Sequence, residues 1–248
     1  MSQTAAIGDY GIDAPPVIRN LIIIGIIVIL TGVVLDLALT SIQSLIAAIL
    51  LIWGLLAGAS MLVMAVLMVW SSKVGKLRLR ERLIDDLALD GSETILDVGC
   101  GRGLLLNGAA RRLTTGKAIG LDLWQTADQS GNRPENTLAN AQTEGVADRV
   151  EVKSGDMREL PFEDQTVDVV VSSLAIHNIR DEEGRAKAVR EIARVLKPHG
   201  KIALLDFQCT TEYVQTLRDL GWQEVKRSEL LFQMFPPVRN VTGKKPAS

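Results

Sequence analysis

The chain has 248 residues, of which 47% are hydrophobic and 23% are charged, and its formal net charge is −2. These values exclude a disordered chain, a collagen-like repeat and a disulfide-stabilised scaffold, because apolar residues are plentiful and only two cysteines are present. Two isolated cysteines are too few for a metal site, so no metal is expected, and they favour a reducing compartment. The charges are unevenly distributed, since residues 20–72 contain a single charged residue, Asp36.

Two apolar runs in this N-terminal part are long enough to cross a lipid bilayer. As helices, residues 21–39 reach roughly 28 Å and residues 45–70 reach roughly 39 Å. Residues 40–44 form a short polar turn between them, so we expect a transmembrane helical hairpin with both chain ends on one side. A cleaved signal peptide is an alternative for the first run, but the acidic residues Asp9 and Asp13 precede it. Buried helices of a soluble protein are another alternative, but the rest of the chain is too small to enclose both runs.

A cluster of basic residues opposed only by Glu81 follows the second run: Lys73, Lys76, Arg78, Arg80 and Arg82. The positive-inside rule therefore predicts an integral membrane protein with two spans, whose termini and C-terminal domain are cytoplasmic. Apolar residues alternate with these charges, which predicts a basic amphipathic helix over residues 71–90. This helix acts as a linker or, alternatively, lies on anionic membrane lipid. The predicted division is a tail at 1–20, two spans at 21–70, the linker at 71–90 and a domain at 91–248.

The C-terminal domain is formally neutral. Removing the one base and three acids of residues 1–70 from the totals of 27 and 29 leaves equal numbers of each sign, so a nucleic-acid partner is not expected. Short apolar runs alternate with helical patterns, which predicts an α/β fold with a doubly wound, mainly parallel, seven-stranded sheet. The expected strands are residues 94–98, 118–121, 150–153, 167–172, 201–205, 222–226 and 239–242. The expected helices are residues 104–113, 134–144, 185–196 and 211–220.

Three motifs follow the first three strands, at the edge where such sheets bind ligands. Residues 97–103 read Asp-Val-Gly-Cys-Gly-Arg-Gly and open a helix, where glycines allow close approach and the helix end offers free N–H groups. The spacing is not the G-x-G-x-x-G of dinucleotide-binding proteins and favours a different adenosine ligand. Asp122, after the second strand, is suited to accept both ribose hydroxyls. Asp156 and Met157, after the third, are suited to an exocyclic amine and a purine face.

These motifs resemble those of class I S-adenosylmethionine-dependent methyltransferases, specifically the small-molecule branch that includes quinone-biosynthesis enzymes. The resemblance covers about residues 90–245 and also rests on residues 160–162, 167–171 and 194–198. It implies a Rossmann-like methyltransferase fold with S-adenosylmethionine as cofactor. The cofactor-binding residues that it implies are Asp97, Gly99, Cys100, Gly101, Asp122, Leu123, Asp156, Met157 and Ser173.

The segment after the fourth strand, residues 172–179, borders the transferable methyl group in that family. A hydroxyl, thiol or protonated amine acceptor must lose a proton during transfer, and His177 is the candidate catalytic base. A packing role is the alternative for this histidine. The polar residues 124–133 are expected to form a cover or a plain surface loop. The apolar residues 230–237 are expected to form a core strand, or else to line an acceptor pocket or touch the bilayer.

The combination predicts a membrane-anchored methyltransferase that acts on a small hydrophobic or membrane-associated acceptor. The anchor is the reason for this expectation, because it raises the local concentration of any acceptor dissolved in membrane lipid. Two alternatives remain open. The acceptor is a soluble metabolite or a protein partner and the hairpin serves only for localisation, or the domain binds the cofactor as a catalytically idle scaffold.

Overall fold

The computed structural model describes residues 6–39, 44–125 and 131–247. Most of the turn predicted at residues 40–44 and part of the polar segment 124–133 lie outside the described residues. The chain divides into two units. One is Ile12–Lys73, and the other combines Met1–Gly11 with Val74–Ser248, so residues 6–11 belong to the same unit as the C-terminal domain.

The smaller unit contains two apolar helices, α1 (Pro15–Leu39) and α2 (Ser44–Trp70), each long and apolar enough to cross a membrane. Glycines allow them to pack closely, because a Cβ on Gly32 would lie 3.3 Å from the Cα of Gly54. Most of their large apolar side chains are exposed. The two helices therefore present apolar surface that the described part of the chain does not cover.

The larger unit contains seven strands and five helices among its described residues. The strands are β1 (Thr94–Val98), β2 (Lys117–Asp122), β3 (Val150–Ser154), β4 (Val167–Ser173), β5 (Leu196–Asp206), β6 (Lys226–Arg227) and β7 (Arg239–Lys244). The helices are α3 (Lys76–Asp86), α4 (Leu104–Ala110), α5 (Pro134–Thr143), α6 (Glu182–Val195) and α7 (Thr210–Asp219). A π-helical turn, Ser71–Gly75, separates α2 from α3.

The strands form one sheet in the order β3-β2-β1-β4-β5-β7-β6. β1 to β5 are parallel, and β7 runs antiparallel to both β5 and β6. This topology confirms the predicted doubly wound, mainly parallel seven-stranded sheet. The strand order reverses between β1 and β4, so their carboxyl ends form the switch point at which ligands bind in such sheets.

Helices cover both faces of this sheet, which explains why the central strands are almost continuous apolar runs. On one face the core includes Leu79 of α3, Leu106 of α4 and Ala141 of α5. On the other face it includes Ile192 of α6 and Leu217 of α7. The two cores hold β1 and β4 rigidly, so the loops that leave their carboxyl ends start from fixed positions.

Residues 230–237 do not form the core strand that their apolar composition suggests. Only Leu231 makes a β-bridge, to Val238, while Phe232 is 71% exposed and Met234 is buried. Pro236 and Pro237 have no N–H to donate to a strand ladder, which explains the irregular backbone. The strand expected at 222–226 is also reduced, because β6 contains only two residues.

The segment at residues 6–11 and helix α3 pack together in the larger unit. The Nζ of Lys76 donates to the carbonyl of Tyr10 at 2.9 Å, and the Nη1 of Arg80 contacts the carboxylate of Glu144 at 2.8 Å. Both basic side chains are buried, whereas Arg78 and Arg82 are exposed. The interpretation of α3 as a helix with its basic residues on lipid is therefore wrong for Lys76 and Arg80, whose charged groups bind partners inside the domain.

Candidate functional site

The turn between β1 and α4 is the centre of the candidate site. Gly99, Gly101 and Gly103 all have positive φ angles, of 73°, 50° and 82°. Side chains disfavour this left-handed conformation, and a Cβ on Gly99 would in addition collide with the Cβ of Ala175. The same added Cβ would lie 3.4 Å from the Cε of Met157. Gly99 is thus the point where the loops after β1, β3 and β4 meet.

The backbone of this turn is fixed to its neighbours by hydrogen bonds. The N–H of Gly99 donates to the carbonyl of Leu121 at 2.7 Å, and the N–H of Gly101 donates to the Oδ2 of Asp122 at 2.9 Å. The thiol of Cys100 is buried, and the sulfur packs so closely on β2 that a Cβ on Gly120 would lie 2.7 Å from it. Burial raises the pKa of this thiol, so any contact that Cys100 makes with a ligand comes from its backbone.

Asp97 is buried in β1, one position before the last residue of the strand and two before the turn begins at Gly99. Its Oδ2 accepts a hydrogen bond from the N–H of Leu106 at 2.9 Å, which satisfies one of the free donors at the start of α4. Burial, with a smaller contribution from the negative charge of Asp122, raises the pKa of Asp97 to about 7. This carboxyl therefore changes its charge close to neutral pH.

Asp122 lies at the end of β2 and faces the turn. Besides Gly101, its carboxylate accepts from the N–H of Trp124 at 2.7 Å and from the Nδ2 of Asn132 at 3.0 Å. These three donors fix the orientation of both oxygens. Leu123 beside it is about half exposed, which leaves an apolar side chain open to a ligand.

Asp156 and Met157 follow β3. The carboxylate of Asp156 forms a bidentate ion pair with Arg158, with an oxygen 2.6 Å from Nη2 and 3.0 Å from Nε, and this guanidinium lowers the pKa of Asp156. Met157 packs on the core and reaches toward Gly99. A groove of about 340 Å³ adjoins Asp156. Its lining is largely charged: Arg158, Glu159, Asp181, Glu183 and Lys187.

A histidine and an aspartate meet where β4 and β5 end. The Nδ1 of His177 lies 2.8 Å from the Oδ1 of Asp206, a close contact that lacks the direction of a linear hydrogen bond. Asp206 is almost fully buried and also accepts from the hydroxyl of Tyr213 at 3.0 Å. Ser173 pairs with Leu205 in the same two strands. The sequence reasoning identified His177 but missed Asp206, although an acid that ends an apolar strand at the ligand-binding edge was a usable signal.

Exposed apolar side chains lie at the same end of the sheet. The Phe207 ring meets the His177 ring edge-on, with 4.6 Å between centroids, and is 42% exposed. Leu230 and Phe232 are exposed in the loop before β7, and that strand begins at Arg239, the register partner of Asp206. We call these three side chains, Phe207, Leu230 and Phe232, the apolar rim.

Comparison with known proteins shows what the C-terminal part of the chain resembles. The family profile described as a methyltransferase domain matches residues 96–204. The demethylmenaquinone methyltransferase of Lactobacillus johnsonii is 29% identical over 66% of this chain and 60% of its own length. The ubiquinone/menaquinone biosynthesis C-methyltransferase UbiE of Roseobacter denitrificans is 33% identical over 54% of this chain and 50% of its own length. The chain spans about half the length of the relatives that it matches.

The fold is also found in solved structures. One is an S-adenosylmethionine-dependent methyltransferase of Methanosarcina mazei, with a TM-score of 0.55 and 17% identity, covering 67% of this chain and 98% of that chain. At this identity the likeness concerns the fold alone.

Proposed function

We propose that this chain, whose residues 96–204 match a methyltransferase domain, transfers a methyl group from S-adenosylmethionine to a small lipophilic or membrane-associated acceptor. The observation that carries the proposal is the meeting of three loops at Gly99, where Met157 and Ala175 fill the space of the missing side chain. These loops follow β1, β3 and β4 at the ligand-binding edge of the sheet. When bound, S-adenosylmethionine supplies an electrophilic methyl group on a sulfonium.

The residues at the turn fit the methionine end of this cofactor. Gly99, Cys100 and Gly101 place the backbone of a tight turn close to the start of α4, with Met157 and Ala175 beside Gly99. Asp97 lies below, where an ionised carboxylate attracts a positively charged ligand. Ser173 is placed at the end of β4, and its role would be a backbone contact near the sulfonium.

The adenosine end is assigned to the loops after β2 and β3. Asp122 would accept the ribose hydroxyls with a carboxylate that its three donors already orient. Leu123 and Met157 would cover the faces of the adenine. Asp156 would accept from the adenine amine, in competition with the guanidinium of Arg158 that it binds in the structure.

His177 is the proposed base for an acceptor that carries a proton. An acceptor oxygen, sulfur or nitrogen that gains the methyl group would release this proton. Because Nδ1 faces Asp206, Nε2 is the nitrogen that takes the acceptor proton. Asp206 acts as a positioning residue, since it holds the ring and stabilises the imidazolium that forms.

A lipophilic acceptor is supported by three independent features. Phe207 of the apolar rim contacts His177, the two apolar helices suit a membrane anchor, and relatives are named for quinone substrates. The charged groove beside Asp156 is unsuited to such an acceptor, so the acceptor is assigned to the side of the rim.

The proposed location is a membrane, with both termini and the domain on the cytoplasmic side. Within the smaller unit, the Oγ of Ser72 accepts from the N–H of Asp13 at 2.9 Å, so the two ends of the hairpin meet. Within the larger unit, residues 6–11 pack against α3. In each unit, therefore, a segment before α1 contacts a segment after α2. This supports a chain that crosses the membrane an even number of times. The basic residues after α2 support a cytoplasmic location for that side.

Titration of the full-length protein in detergent with S-adenosylmethionine and with NAD tests the cofactor assignment. We expect binding of S-adenosylmethionine and loss of that binding in Gly99→Ala, because a methyl group collides with Ala175. Gly221→Ala is the matched control, since Gly221 has a φ of 83° but open space around it. Binding of NAD without S-adenosylmethionine, or full affinity in Gly99→Ala, would refute the proposal.

A further inference from the structure

The segment at residues 8–11, which precedes the first apolar helix, contacts the glycine-rich turn. The Oδ2 of Asp9 lies 3.0 Å from the Nη2 of Arg102, the residue between the second and third glycines of the turn. We propose that residues 8–11 clamp this turn through Asn140, so that cofactor affinity depends on the N-terminal segment. The inference rests on the proposed function, because the turn is the assigned cofactor site.

Asn140 of α5 joins the segment to the turn. Its Oδ1 accepts from the N–H of Asp9 at 2.9 Å, and its Nδ2 donates to the carbonyl of Asp9 at 3.0 Å and to the carbonyl of Arg102 at 2.9 Å. The side-chain amide is buried, so rotation would leave polar groups unpaired. The backbone of Asp9 therefore determines the direction in which Asn140 holds the Arg102 carbonyl.

The direction of the Arg102 carbonyl also determines the direction of the next N–H, because the N–H and the oxygen of a trans peptide point to opposite sides. The peptide that carries the Arg102 oxygen also carries the N–H of Gly103, which donates to the carbonyl of Cys100 at 2.8 Å and closes the turn. One turn earlier on α5, the hydroxyl of Thr137 donates to the preceding carbonyl, that of Gly101, at 2.6 Å. Side chains of α5 thus orient two successive peptides of the turn. Residues 8–11 hold one of these side chains, that of Asn140, in place.

The segment is itself anchored by Tyr10, which is buried. Its hydroxyl donates to Glu144 at 2.6 Å and accepts from the Nδ2 of Asn107 in α4 at 3.2 Å. Its carbonyl accepts from Lys76 of α3. These contacts with α3, α4 and Glu144 hold residues 8–11 in one position relative to the turn.

Gly8 offers a way to open the clamp without altering the body of the domain. A Cβ at this position would lie 2.9 Å from the Cβ, Cγ and Oδ1 of Asn140. We therefore expect Gly8→Val to push the segment away from Asn140 while the turn keeps its own sequence. Ile7→Val is the matched control, because Ile7 is the exposed neighbour of Gly8.

The test is calorimetric titration of the full chain with S-adenosylhomocysteine, together with steady-state kinetics. For Gly8→Val we expect a Kd about tenfold higher, as for the loss of one or two hydrogen bonds, and a similar rise in the KM for S-adenosylmethionine. The kcat at saturating cofactor should not change. General loss of structure would instead lower the active fraction and kcat with KM unchanged. Asn140→Asp removes both side-chain donors and should match Gly8→Val, with no further loss in the double variant.

An unchanged Kd in both Gly8→Val and Asn140→Asp would overturn the clamp. If the wild-type chain binds no S-adenosylhomocysteine, the proposed function fails, and hydrogen exchange of the ligand-free protein still tests the clamp. The clamp predicts faster exchange of the amides of residues 99–106 in Gly8→Val than in Ile7→Val. Equal exchange in the two variants would refute it.

Discussion

The contact between His177 and Asp206 is the residue pair on which the proposed proton transfer depends. We expect His177→Ala to lower kcat by about 100-fold or more, because the acceptor proton loses its base, while the Kd for cofactor stays unchanged. Asp206→Asn should lower kcat less, since the ring remains but its orientation and charge support are weakened. Single-turnover methyl transfer and calorimetry separate the two quantities.

The control for this prediction is His199→Ala, which removes the only other histidine from an exposed position with a φ of 65°. It should leave turnover unchanged. Unchanged turnover in His177→Ala would remove this residue as the base and leave it the packing role against Phe207.

Asp97 gives the cofactor affinity an expected pH dependence. Its pKa is about 7 in the ligand-free protein because the side chain is buried. Below pH 7 the acid is neutral, and above it the carboxylate attracts the net positive cofactor, so affinity should rise between about pH 6 and pH 8. Calorimetry in buffers of different ionisation enthalpy should detect proton release on binding. Asp97→Asn should abolish both effects, and a pH-independent wild-type affinity would contradict the assignment.

The raised pKa of Asp97 also makes the stability of the folded domain depend on pH. The folded domain binds the Asp97 proton more tightly than the unfolded chain does. The contribution of this proton to the free energy of unfolding is therefore fully present below the ordinary aspartate pKa of about 4. It is lost as pH rises through about 7.

Residues of the candidate site could be placed from the sequence where they follow a strand directly. Gly99, Asp122 and Asp156 each come within a few positions of a buried apolar run, so strand order alone brings them to one edge. Thr137 and Asn140 could not be found in this way. They are polar residues on the buried face of α5, and their partners in the turn are 36 and 38 positions away in the chain.

At the scale of elements, α3 shows where a charge pattern is ambiguous. Its basic residues suggested a linker or a lipid-facing helix, yet Arg80 pairs with Glu144, whose side chain has 0% exposure. The partner lies 64 positions later in the chain, so the sequence pattern contains no sign of it. Helix existence followed from local periodicity, whereas the surface that the helix faces depended on tertiary contacts.

This pair predicts an asymmetric response to substitution in α3. Arg80→Met should lower the free energy of unfolding by about 3 kcal/mol, because it removes the nearer cation of the buried Glu144 carboxylate and leaves only the more distant Arg111, at 3.8 Å. Arg82→Met is the control on the same helix, and its effect should stay within about 0.5 kcal/mol, since Arg82 is 60% exposed. Denaturant unfolding in detergent measures both. Equal effects of the two substitutions would contradict the structural role given to Arg80.

The strands show a related limit. β1 was predicted to the residue, because an alternation of short apolar runs with helical patterns fixes central parallel strands. Residues 230–237 are equally apolar but end in two prolines, and their backbone bonds depend on the neighbouring β7. Apolar composition alone does not distinguish a buried strand from an exposed apolar loop.

At the scale of the whole molecule, the chain leaves the domain after residue 11 and re-enters it at α3. The proposed two-span topology predicts that Ile7→Cys and Lys244→Cys, each in a Cys209→Ser background, react with a membrane-impermeant thiol reagent from the same side of vesicles. Ser41→Cys, between the two apolar runs, should react from the opposite side. Labelling of residues 7 and 244 from opposite sides would indicate an odd number of crossings.

The central claim is that a methyl group passes from S-adenosylmethionine to an acceptor dissolved in the membrane. The most direct measurement incubates membranes and purified protein with methyl-labelled S-adenosylmethionine and separates lipid, aqueous and protein fractions, with His177→Ala protein in parallel. We predict label in the lipid fraction that increases with the amount of wild-type protein and is strongly reduced with the variant. Label confined to the aqueous or protein fraction would contradict the claim.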